Sequence, residues 1–238
     1  NLGRKAFIMS IAENIAKVRS TIADVCRETG RDVGEITLVG ASKMNGADAC
    51  REAIAAGIDA LGENRVQEMT EKLSQNAYDG APLHFIGHLQ RNKVKQVVGH
   101  VALIQSVGSA PLLQEIEKVA AAKGLVQDIL LEVNIGREEA KSGFAPEEVL
   151  DAARAALDCP HVRVRGLMTI PPADASREEN IRYFQEVRGL YVDINAKLFH
   201  NELDCLSMGM SADYPDAIRA GATMGRVGTA IFGARHYA

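Results

Sequence analysis

The sequence predicts an α/β chain that closes into a (β/α)8 TIM barrel. Three observations carry that reading: eight short apolar runs, a helical pattern after nearly all of them, and a length of 238 residues. Continuous apolar strands suit a parallel sheet covered on both faces. Eight such units in about 200 to 250 residues are what a small closed barrel requires. The alternative, an open doubly wound sheet, ordinarily has fewer strands. No repeat, low-complexity tract or linker divides the chain, so residues 1–238 are expected to form one domain.

Taken in order, Ile8, Ile11, Ile15, Val18, Ile22 and Val25 make one apolar stripe at helical spacing, stopped by Gly30. The run 36–41 reads as the first strand, followed by a helix over 47–56 that Gly57 closes. The second strand is 60–62, and Val66, Met69 and Leu73 mark the next helix. A third strand at 83–87 precedes a helix at 93–98, and a fourth at 101–106 precedes one at 111–123. Pro111 suits a first helical turn, where its missing N–H costs nothing. The fifth pair is 127–133 with 146–157; the sixth is 162–168, a Pro-rich turn and a long helix over 178–199. A seventh strand at 203–206 leads to a short helix at 216–220, and an eighth at 223–227 to a last helix at 229–232. Only 229–238 follow the eighth strand, too few for a full outer helix. The extra N-terminal helix is expected to cover that sector.

Composition excludes several classes of function. Lys+Arg at 27 against Asp+Glu at 31 gives a net charge of −4, so no general basic field attracts nucleic acid or anionic lipid. No apolar run approaches the roughly 18 residues of a membrane span. The first ten residues show no signal-peptide pattern. Cys26, Cys50, Cys159 and Cys205 are scattered, with no CxxC pair, which predicts packed thiols in a reducing cytoplasm and no metal site.

A barrel works at the C-terminal ends of its strands. The residues there are Ser42 and Lys43; Glu63, Asn64 and Arg65; His88, Gln90 and Asn92; Ser106; Asn134; Met168 and Thr169; Ser207 to Ser211; and Arg226 to Thr229. Lys43 follows an apolar strand with no acid within four residues on either side. A lysine near a low-dielectric site or another cation loses its proton readily and becomes a nucleophilic amine, as aldehyde capture requires. For an arbitrary loop lysine, solvation is the commoner fate. Gly228-Thr229 opens the last helix, where free N–H groups and a side-chain-free approach favour an anion. A helix cap with an ordinary turn is the plain alternative. His88 could be a ligand or base but reads as hydrogen-bonded scaffold, and His84 is less informative still; Met208 and Met210 read as packing, and Glu63 and Asn64 as caps of the next helix or partners of a ring hydroxyl.

These residues resemble the YggS/PROSC family of pyridoxal-phosphate homeostasis proteins and, more distantly, the barrel domain of alanine racemase. The resemblance is carried by Leu38-Val39-Gly40-Ala41-Ser42-Lys43, Gly62-Glu63-Asn64-Arg65-Val66-Gln67-Glu68 and His84-Phe85-Ile86-Gly87-His88-Leu89-Gln90-Arg91-Asn92-Lys93. It continues through Glu132-Val133-Asn134-Ile135, Gly166-Leu167-Met168-Thr169-Ile170, Ser207-Met208-Gly209-Met210-Ser211 and Arg226-Val227-Gly228-Thr229-Ala230-Ile231-Phe232-Gly233. It implies a fold-type III barrel that binds pyridoxal 5'-phosphate through a Schiff base on Lys43. Ser211, Gly228 and Thr229 would hold the phosphate, Arg226 would face the pyridine nitrogen, and Asn64 would lie near the ring. Asn134 and Met168 would line the pocket. Met44 departs from the family, which commonly has threonine or a similar small residue there.

The resemblance also implies a protein that sequesters and supplies the vitamin B6 cofactor, with apo-enzymes as recipients, and not one with established catalysis. An arginine at the ring nitrogen cannot take up a proton, so the electron sink is weak. A racemase with that arginine adds a tyrosine from a second domain and subunit. None of Tyr78, Tyr183, Tyr191, Tyr214 and Tyr237 directly follows a predicted strand, Tyr214 coming nearest to a usable place. A weak amino-acid racemase, or another fold-type III enzyme, is the alternative; a cofactor-free Schiff-base aldolase is a third. A monomer in the cytoplasm is expected.

Overall fold

A computed structural model of the protein describes residues 9–233; Ile8 of the apolar stripe and Tyr237 lie outside them. Its strands are β1 (Thr37–Ala41), β2 (Ala60–Glu63), β3 (Leu83–Phe85), β4 (Leu103–Val107), β5 (Gln127–Val133), β6 (Val162–Thr169), β7 (Cys205–Ser207) and β8 (Met224–Val227). Each bonds to the next, and β8 closes in parallel onto β1, with Val39 opposite Arg226. The helices are α1 (Ile11–Thr29), α2 (Ala47–Ala55), α3 (Val66–Ser74), α4 (Val94–Val97), α5 (Ala110–Lys123), α6 (Val149–Leu157), α7 (Arg177–Leu198), α8 (Tyr214–Arg219) and α9 (Thr229–Phe232). The (β/α)8 barrel predicted by the apolar runs is the fold observed.

Element ends differ from expectation where side chains decide them. β3 stops at Phe85, two residues short, because Gly87 leaves the sheet to pack on the backbone of Asn64. Ser106 belongs to β4, and Ser207 to β7. Within 91–98 only Val94, Val97 and Val98 are buried, so the helix there shrinks to a 3-10 turn over Arg91–Lys93 and the four-residue α4.

The N-terminal helix fills the eighth sector. Ser10 and Glu13 form a reciprocal capping box at its start, a device worth about 1 kcal/mol. Ile15, Val18, Ile22, Val25 and Cys26 are buried along its inner face, each large aliphatic contributing roughly 1.5–3 kcal/mol relative to exposure. The helix packs on α2, α8 and α9, and Asn14 Nδ2 donates to the Ile231 carbonyl at 2.9 Å.

Inside the barrel, Val39, Ala60, Leu103, Leu130, Met168, Cys205 and Met224 form a separate apolar layer. Strand side chains repeat their face every second residue. Two positions on from Leu103, Leu130, Cys205 and Met224 stand Gln105, Glu132, Ser207 and Arg226, all buried. The interior is therefore apolar below and polar toward the mouth where the strands end.

Candidate functional site

A cavity of about 260 Å³ opens at that mouth. Its wall is contributed by Ala41 and Lys43 after β1, Asn64 after β2, Ile86 after β3 and Ile170 after β6. The β7 loop adds Met210, Ser211 and Ala212; the end of β8 adds Arg226, Gly228 and Thr229. A larger hollow of about 610 Å³ lies near the start of β6 and the end of α7. Both of its arginines are already engaged: Arg165 pairs with Asp128 and Asp204, and Arg163 with Asp128. The smaller cavity is where an amine, a cation and backbone donors converge.

The anion end is built by two adjoining loops. Ser211 Oγ accepts the N–H of Gly228 at 3.2 Å and of Ala230 at 3.1 Å. An anion there would meet a hydroxyl and main-chain donors together. The β7 loop reaches this place because Gly209, at φ +101°, turns it where a Cβ would lie 2.8 Å from Ala217 Cβ and 2.9 Å from Tyr214 Cα. Asp213 Oδ1 then accepts the Met210 N–H at 2.7 Å and closes the turn.

Arg226 also lines the cavity and is 3 % exposed. Its Nη1 donates to Ser207 Oγ and its Nη2 to the Thr169 carbonyl, the latter at 2.9 Å. Ser207 Oγ donates to Gln105 Oε1 at 2.6 Å, and Gln105 Nε2 lies 2.9 Å from His84 Nδ1. Burial lowers the guanidinium pKa to about 10, with Glu132 opposing the fall. Arg226 is therefore still a cation at neutral pH. Burial pushes the Glu132 carboxyl up, and Arg226 pulls against it.

Lys43 is half-buried at the cavity wall, on a turn that follows β1. Asn64 holds its place because Gly87 packs against it: a Cβ at Gly87 would stand 2.3 Å from the Asn64 carbonyl oxygen. Asn64 Oδ1 is buried and has no hydrogen-bond partner among the described residues. A buried amide oxygen without a partner costs free energy unless something else satisfies it. The mouth thus presents an amine, a cation, an unsatisfied amide and an anion cradle around one small volume.

Of the seven residues singled out for cofactor contact, Lys43, Asn64, Ser211, Arg226, Gly228 and Thr229 meet at this cavity and Met168 does not. Met168 is fully buried in the inner apolar layer, and Ile170, two residues further along, takes the wall position. Asn134 turns into its own loop, bonding the backbone of Glu138 at both amide atoms. Glu63 caps no helix. It is fully buried, and its Oε1 accepts from Ser42 Oγ, Lys72 Nζ and Tyr78 OH. Burial raises its pKa, which Lys72 opposes. Met208 packs inside, but Met210 is 43 % exposed and lines the cavity. The scaffold role expected of His88 falls to His84, which is buried and bonded to Gln105, whereas His88 is exposed without a side-chain hydrogen bond among the described residues. Met44 points outward, 49 % exposed, so the departure from the family falls outside the cavity wall.

Sequence reasoning passed over Ala41, Ile86, Ile170 and Ala212 on the wall, and Lys72 and Gln105 behind it. Gln105 carried a signal: a lone amide in an otherwise apolar strand. Tyr78 and Tyr191 spend their hydroxyls on Glu63 and the Leu203 carbonyl, and Tyr214 is buried at the start of α8. All four cysteines are buried and unpaired. No described helix is long and apolar enough to cross a membrane, and no described cluster could hold a metal ion.

Residues 10–236 match the family model of the alanine racemase N-terminal domain. The chain is 41% identical over 229 residues to the pyridoxal phosphate homeostasis protein of Aquifex aeolicus, covering 96% of this chain and 100% of that one. The solved structure of PipY from Synechococcus elongatus without pyridoxal phosphate superposes with a TM-score of 0.85 at 33% identity, covering 94% of this chain and 100% of that one. The same protein with pyridoxal phosphate bound gives 0.82 at 32%, with the same coverage.

Proposed function

The chain belongs to the pyridoxal phosphate homeostasis protein family, built on the alanine racemase N-terminal domain, and we propose that it binds pyridoxal 5'-phosphate at the barrel mouth to store and supply it. The observation that carries this reading is the convergence of Lys43, Arg226 and the Ser211–Gly228 cradle on one cavity of about 260 Å³. The donor set fits the cofactor, and the unpartnered Asn64 Oδ1 leaves a polar group for its ring substituents.

Bound pyridoxal phosphate supplies an electrophilic aldehyde, an aromatic ring and a phosphate group. The Lys43 amine is the nucleophile for that aldehyde. Ser211 and the rim residue Thr229 would hold the phosphate, joined by the Gly228 and Ala230 N–H groups as these turn to it from the Ser211 oxygen they now meet. Arg226 would face the ring nitrogen as a hydrogen-bond donor and would keep its own protons, since its pKa of about 10 lies well above neutrality. A ring nitrogen left without a proton is a poor electron sink, which favours holding over carbanion chemistry. None of the described tyrosines lines the cavity, which supports the same side of the choice. Arrangement around a reversible covalent bond suits delivery to apo-enzymes. Four buried thiols suit a reducing cytoplasm, and we take the working unit to be a monomer.

The direct test is borohydride reduction of the cofactor-loaded protein, followed by peptide mapping. The pyridoxyl label is expected on Lys43; label on another lysine overturns the assignment. Incubation with L-alanine tests the carrier reading, which robust formation of D-alanine defeats. Reactivation of a pyridoxal-phosphate apo-enzyme by the loaded protein tests supply.

A further inference from the structure

One buried cation holds the turn that carries Lys43 from below. Lys72 lies in α3, is 5 % exposed, and donates to the Ser42 carbonyl at 2.9 Å, Glu63 Oε1 at 2.7 Å and Glu68 Oε2 at 2.8 Å. An ammonium has three protons, so its capacity is filled. Glu68 in turn accepts the Met44 N–H, with its two carboxylate oxygens at 3.0 and 2.9 Å. Ser42 and Met44 are the chain neighbours of Lys43. The same ammonium therefore fixes the backbone on one side of Lys43 directly and on the other through a carboxylate.

The turn needs such a brace. Met44 sits at φ +63°, in the left-handed region that a side-chain-bearing residue enters only at a cost. Ser42 is further tied by its own hydroxyl to Glu63 Oε1 at 2.5 Å. Lys72 does not line the cavity, and its charge is shared by two carboxylates. It is placed to orient another residue and not to react.

On the reading that Lys43 captures the cofactor, we propose that Lys72 is a positioning residue for that capture, its ammonium setting the pose of Lys43 through the Ser42 carbonyl and the Glu68–Met44 contact. A misplacement of a reacting group by about 1 Å can cost up to a hundredfold in rate.

The test compares two ligands on the full chain: pyridoxal 5'-phosphate, and 4-deoxypyridoxine 5'-phosphate, which keeps ring and phosphate but has no aldehyde. In Lys72→Met, the rate of covalent capture is expected to fall about tenfold or more, while the Kd for the analogue stays within about threefold. Equal losses for both ligands, or an unchanged capture rate, overturn the inference. Should Lys72→Met fail to fold, Glu68→Ala decides: it removes the Met44 contact and one of the two carboxylate partners of Lys72 while leaving the Lys72–Ser42 bond, and a several-fold loss of capture with the analogue unaffected is expected. Unchanged capture in that variant overturns the proposal. If the parent protein itself attaches no cofactor at Lys43, the functional reading fails instead, so the two failures are told apart.

Discussion

Ser211 and Gly228, which are 17 residues apart in the chain, meet at 3.2 Å, hydroxyl oxygen to main-chain nitrogen. That contact joins the loop after β7 to the end of β8 and makes two neighbouring strand ends into one anion cradle. It exists because β7 and β8 are adjacent in a parallel barrel, so their C-terminal ends emerge side by side.

Ser211→Ala should remove a hydroxyl and leave the N–H groups in place. Hydrogen bonds to charged partners contribute about 1.5–3 kcal/mol, so affinity for pyridoxal 5'-phosphate is expected to drop roughly tenfold or more. Affinity for unphosphorylated pyridoxal should not change. Isothermal titration with both ligands checks this, and an equal loss for both places Ser211 away from the phosphate.

Gly209→Ala tests the loop that delivers Ser211. The new methyl would stand 2.8 Å from Ala217 Cβ, at φ +101°. Overpacking together with the disfavoured dihedral should cost roughly 2–3 kcal/mol, read from urea unfolding. A neutral result would mean that the loop yields freely.

His84 makes stability depend on acid. Burial lowers its pKa from 6.5 to about 4, with Arg165 adding to the fall. The unfolded chain therefore takes up a proton that the folded chain refuses, and stability contributed by the neutral ring falls as pH drops from about 6.5 toward 4. Between pH 6.5 and 5 the loss is about 2 kcal/mol at the usual conversion of pKa into energy. His84→Gln should flatten that part of the urea-stability profile while keeping a partner for Gln105. An unchanged slope would assign the acid sensitivity elsewhere, for example to other buried groups.

The barrel was legible because strands buried on both faces leave short, mostly apolar runs, such as 36–41 and the Ile129-Leu130-Leu131 centre of 127–133, at regular intervals along the chain. The site was legible where a polar residue stops such a run: Lys43 after β1, Arg226 within β8, Ser211 in the β7 loop. The place of Met168 near the end of β6 does not tell how deep in the barrel its side chain stands, and Ile170, two residues on along the same alternation, is the one that lines the mouth. Lys72 was hidden for a different reason. A lysine four residues after a glutamate in a helix is ordinarily a solvated pair, and the approach of the Ser42 turn to α3 is what buries this one. Gln105 and Ser207 bond across 102 residues of chain, a pairing that no local pattern encodes.

The central claim is that the Lys43 amine holds the cofactor covalently. The absorption spectrum of Lys43→Ala, purified beside the parent in the presence of pyridoxal 5'-phosphate, tests it most directly. The parent should carry a visible band that borohydride bleaches, and the variant should come off the column colourless. A variant as yellow as its parent would contradict the account.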